Sequence, residues 1–159
     1  MKKSQEKIIF IGRPFADQLM DEQRTYTQSN IEMEQDEVFQ EFLAINQLTN
    51  NRSNLIIFGP ENFMYWYGVT VTNQVEVPQG LMQFVLPQAE VAIEEIPDQN
   101  LSYFSQPLNS ILPLFFQKIS NQGIPIYENP GDSSTPYFLQ ELNLITKKLT
   151  QMMYLKASN

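Results

Sequence analysis

Apolar residues fall along the chain in two styles, runs that alternate and runs that recur every three or four positions, and their order predicts the elements. Lys7-Ile8-Ile9-Phe10-Ile11-Gly12 is a short run of β-formers and predicts a strand. A polar stretch to Asn30 reads as a partly ordered loop. Ser29-Asn30-Ile31-Glu32 then fits a capping box, in which Ser29 and Glu32 satisfy each other's free amides. Glu32, Glu34, Asp36 and Glu37 fall in the first turns, where the helix dipole favours negative charge. Val38, Phe39, Phe42 and Ile45 recur at helical spacing, so the pattern predicts a helix from Ile31 to Leu48. Asn54–Phe58 reads as a strand stopped by Gly59-Pro60, and Phe63–Thr72 as its hairpin partner.

The second half repeats this order. Leu81–Glu95 is extended and alternating, with Pro87 marking a break or an edge. Leu108, Ile111, Leu112, Phe115, Phe116 and Ile119 line one helical face, closed by Asn121-Gln122-Gly123 with the glycine as left-handed cap. Pro113 inside it predicts a kink or a restart. A loop rich in Pro, Gly and Ser leads to Tyr137–Asn143 and Lys148–Ala157, a last hairpin. The expected fold is α+β: two β-α-β-β units forming one curved antiparallel sheet, with two helices on one face and a cleft between the halves. One domain spans residues 1–159, with repeats over 7–72 and 81–157.

Composition narrows the chemistry. The chain has 159 residues, 42% of them hydrophobic, enough for a real core. No apolar run approaches membrane length and Met1–Lys7 has no signal-peptide core, so a cytoplasmic location is expected. Cysteine and histidine are both absent, which excludes disulfides, thiolate or imidazole metal sites, and triads built on either residue. No cofactor or metal motif is present, and the balance tips from enzyme toward binding module. Ten basic residues face 18 acidic ones, a net charge of −8, and no Lys or Arg lies between Arg52 and Lys118. Such a surface cannot neutralise phosphates, so direct nucleic-acid binding is not expected. Glu94 and Glu95 point to opposite sides of their strand and form no catalytic pair. Asp132-Ser133-Ser134-Thr135 and the acid run Glu32–Glu41 read as solvated polar segments.

Alternation puts Tyr137, Leu139 and Glu141 on one face of their strand. Tyr65 and Tyr67 share a face of theirs, with Trp66 opposite. Read from the residues alone, Glu141 is either a pocket acid or a solvated strand residue, in the latter case free or paired with Lys147 or Lys148. Core packing and pocket lining are equally open for the Tyr65-Trp66-Tyr67 cluster.

Tyr65-Trp66-Tyr67-Gly68-Val69-Thr70-Val71, then Val77-Pro78-Gln79-Gly80-Leu81 and Leu86-Pro87, resembles the GyrI-like small-molecule-binding family, the effector-binding domain of bacterial transcription activators. The resemblance runs from Lys7 to Ala157. It implies a pocket between the halves for hydrophobic or cationic molecules, with a buried glutamate on the penultimate strand. Glu141 matches that glutamate, and Asn143 stands where the family has a tyrosine. The expected ligand set is Glu141, Tyr65, Trp66, Tyr67, Tyr137, Leu139 and Phe115. In many relatives a DNA-binding module precedes this domain; none precedes Lys7 here, so a stand-alone sensor or sequestering protein is expected. Two alternatives follow from the same resemblance. One is a hydrolase of reactive small molecules using Glu141 with an aromatic residue. The other is an acidic protein that inhibits a DNA-handling enzyme such as gyrase.

Overall fold

The computed structural model describes residues 1–157; Ser158 and Asn159, the end of the expected domain, lie outside the described residues. A short strand β1 (Lys2–Gln5) precedes β2 (Ile8–Ala16), which runs four residues beyond the expected strand. Two short helices follow, α1 (Thr27–Glu34) and α2 (Glu37–Ile45), where one continuous helix was expected. The reason for the break is local. Ser29 is buried inside α1 and caps nothing, whereas the Asp36 carboxylate accepts from the Phe39 amide at 2.9 Å and starts a new helix. Arg13 on β2 pairs with the same carboxylate.

Strands β3 (Asn51–Phe58), β4 (Phe63–Val71), β5 (Met82–Leu86) and β6 (Ala89–Ile96) come next, the last two separated at Pro87 as the sequence predicts. Helix α3 (Leu108–Asn121) carries Pro113 within an unbroken run. It ends at Gly123, whose φ of +75° suits the left-handed cap. The hairpin β7 (Tyr137–Asn143) and β8 (Leu149–Ala157) closes the chain.

All eight strands form one antiparallel sheet in the order β1-β6-β8-β7-β3-β4-β2-β5. The inner six read as two copies of the same three-strand unit, joined at β7 and β3. The outermost strands then bend the sheet round on itself. Gln5 pairs with Ala89 before the Glu6-Lys7 corner and Ile8 with Leu86 after it. Three residues forward on one strand meet three back on the other, so one register runs through both corners. Strands β1–β2 and β5–β6 are therefore a single bent ribbon that ties the two ends of the sheet together, leaving a curled half-barrel. Curling brings β2 and β4 close at the pair Gly12 and Gly68: a Cβ on Gly12 would lie 2.0 Å from the Tyr67 carbonyl oxygen.

The helices cover one face, where Phe39, Phe42, Leu43, Phe115 and Ile119 meet Ile11, Ile56 and Phe138. The helix-free face is the inside of the curl. Phe10, Leu55, Trp66, Leu139, Met152 and Tyr154 pack there in a second core. No helix among the described residues is long and apolar enough to cross a membrane.

Candidate functional site

Strand alternation decides which side chains reach the inside of the curl. On β7, Tyr137, Leu139 and Glu141 face inward, and Glu141 sits between Ser53 of β3 and Thr150 of β8. Its Oε2 accepts from the Thr70 hydroxyl at 3.1 Å. Burial pushes the Glu141 carboxyl above the ordinary carboxylate range, against the Thr70 bond and the more distant positive charge of Lys3, which pull it back. Among the described residues no ion pair includes it. Lys148 pairs instead with Glu95 at 3.6 Å, and Arg52 holds Glu34 through two bonds of 2.7 and 3.1 Å.

A cavity of about 560 Å³ opens at Glu141, walled by Gln5, Ile8, Ser53, Thr70 and Thr150. Arg52 and Lys148 also border it, but each already faces its own carboxylate. That volume falls within the range of small-molecule sites, roughly 300–1,000 Å³. Asn143 lies at the rim, where its side-chain oxygen accepts from the amides of Ile145 and Thr146. It thus builds the β7–β8 turn.

Aromatic rings form an arc along the same face. Phe10 meets Trp66 edge-on at 6.1 Å, Trp66 meets Phe84 at 6.0 Å, Phe84 meets Tyr137 at 5.4 Å, and Tyr137 meets Tyr154 at 5.6 Å. Phe84 belongs to the edge strand β5 and Tyr137 to the central strand β7, so their contact spans the inside of the curl.

The expected ligand set divides between the two faces. Glu141, Trp66, Tyr137 and Leu139 share the inside, with Glu141 on the cavity wall. Tyr65, Tyr67 and Phe115 are on the helix side, away from this cavity. Tyr65 stacks on Tyr26 with centroids 4.1 Å apart and donates to Asn30 at 2.6 Å; Tyr67 donates to Glu34 at 2.7 Å. Burial raises both phenols above their ordinary range. Phe115 packs on Phe138 at 5.0 Å under α3. Residues not foreseen are Thr70, Phe10, Phe84 and Tyr154. Alternation on β8 was signal enough for Tyr154, since Thr150 faces Glu141 and Tyr154 follows four residues on. Phe84 became a neighbour only through the closing ribbon, which no local pattern encodes.

No protein-family model matches the chain, and comparison with curated protein sequences found no match. Solved structures do match. SAV2435 bound to tetraphenylphosphonium aligns over 100% of this chain and 93% of its own, with 12% identity and a TM-score of 0.57. A protein of Staphylococcus aureus MU50 assigned to bacterial transcription regulation aligns over 99% and 97%, with 9% identity and a TM-score of 0.50. The chain shares its fold with these two structures. The agreement in fold extends over the whole chain.

Proposed function

We propose that this protein is a small-molecule-binding domain for amphipathic cations, held inside the curled sheet with Glu141 as counter-charge. The observation that carries the reading is the half-buried Glu141 carboxylate on the cavity wall, with one hydroxyl as partner and, among the described residues, no cation paired to it. A carboxylate partly withdrawn from water is harder to ionise, and a lipophilic cation offsets that cost. The aromatic arc lies on the same face of the sheet but does not line this cavity. Support also comes from SAV2435, whose structure holds tetraphenylphosphonium on the same fold. In this reading the chain senses or sequesters its ligand.

Calorimetric titration with tetraphenylphosphonium tests the proposal. Wild type should bind, and Glu141→Gln should weaken binding by at least about tenfold, the usual penalty for removing one member of a buried charge pair. Equal affinity in the two proteins, or no binding by wild type, overturns it.

A further inference from the structure

Among the described residues, two buried side-chain polar atoms have no hydrogen-bond partner, Trp66 Nε1 and the Tyr154 hydroxyl. Both belong to the core inside the curl, with Trp66 6% and Tyr154 1% exposed. Indole N–H can only donate, and a buried donor left unpaired carries the full desolvation penalty of its lost bond with water. Native proteins tolerate few such groups. Two on one face of one sheet, both within a single aromatic arc, is a pattern. Glu141, the carboxylate of this face, is already engaged by Thr70. Phe84 and Tyr137, which lie between the two donors in the arc, are only partly buried.

We infer that the ligand of this site carries a hydrogen-bond acceptor, a carbonyl or similar oxygen, on its apolar part, and that Trp66 Nε1–H and Tyr154 O–H receive it. The inference rests on the cation reading of the same cavity and narrows its ligand class. The charged end stays at the mouth beside Glu141. The apolar end displaces Phe84 and Tyr137 and brings its oxygen to the two donors. Tetraphenylphosphonium, with no acceptor atom, would fill the mouth and leave both donors unpaired.

A matched pair of probes tests this: triphenylphosphonium cations bearing a 4-phenylbutyl arm, or the same arm with its benzylic carbon oxidised to a ketone. Wild type should prefer the ketone by about tenfold, the worth of one or two buried hydrogen bonds. Tyr154→Phe and Trp66→Phe should each shrink that preference. In the ligand-free protein Tyr154→Phe should keep or raise the melting temperature, because it removes a hydroxyl that bonds to nothing. Equal binding of both cations by wild type overturns the acceptor inference and leaves the cation reading standing. Binding of neither overturns both. A lower melting temperature for ligand-free Tyr154→Phe would show a structural partner for the hydroxyl and overturn its role as receiver.

Discussion

Glu141 is a proton-linked group as well as a charge. Its carboxyl titrates above the ordinary carboxylate range because burial disfavours the ionised form. Thr70, Lys3 and Tyr154 are the groups that act on it or feel its charge. A carboxyl raised in the folded state stabilises the fold below its unfolded pKa, and that contribution is lost as pH climbs through the folded value. Ligand-free protein should therefore lose stability with rising pH across that window, and Glu141→Gln should flatten this part of the profile. Cation binding has the opposite dependence: it needs the carboxylate, strengthens as pH rises through the same window, and releases a proton. Calorimetry in buffers of different ionisation enthalpy reads the proton directly, and an unchanged proton count between wild type and Glu141→Gln would refute the linkage. At this scale much was legible from sequence. Period-two alternation placed Glu141, Leu139 and Tyr137 together and Trp66 opposite Tyr65 and Tyr67. It could not say which face the helices would cover, and so left core packing and pocket lining equally open for Tyr65 and Tyr67, which pack beneath α1 and bond to Asn30 and Glu34.

Among the elements, the Gln35-Asp36 break between α1 and α2 shows how two competing caps are settled. Both Ser29 and Asp36 have the right chemistry and both are followed by helix-formers. Asp36 wins because it caps α2 and also holds Arg13 of β2, so tertiary structure favours it. Asp36→Ala should destabilise by about 1–2 kcal/mol, a fall of roughly 3–6 °C in melting temperature for a chain of this length. Ser29→Ala should show no loss of cap. Thermal melts of the two variants check the assignment, and a larger fall for Ser29→Ala would reverse it. Strands were easier to read than helices here. Asn54–Phe58, Phe63–Thr72 and the Tyr137–Ala157 hairpin all formed within a few residues of expectation, because alternation and turn residues are local signals. Helix α3 survived Pro113 without dividing, its apolar stripe from Leu108 to Ile119 holding it to the sheet.

For the whole molecule, the duplicated order of elements was readable while the closure was not. Pairing of Gln5 with Ala89 joins residues 84 positions apart in sequence, and nothing in Lys2–Gln5 marks it as a strand. Its exposed side chains bury little, so β1 contributes mainly backbone pairing. Removing residues 1–5 should leave the fold intact and expose only those amides of Ala89–Ile93 that face this segment, read as faster hydrogen exchange there with β3 and β7 unchanged. Uniform loss of protection across the sheet would mean instead that the ribbon holds the whole curl together.

The same neighbourhood has a mechanical consequence. Strands β1 and β8 flank β6, both antiparallel to it, and so run parallel to one another. A force applied to the two chain ends therefore slides these ladders lengthwise past β6. In such shear the hydrogen bonds between β6 and β8, from Ile96–Leu149 to Ala89–Ala157, bear the load together, whereas a peeling pull would take them one at a time. This small domain should resist stretching between its termini far better than a pull that opens the β7–β8 hairpin from its turn.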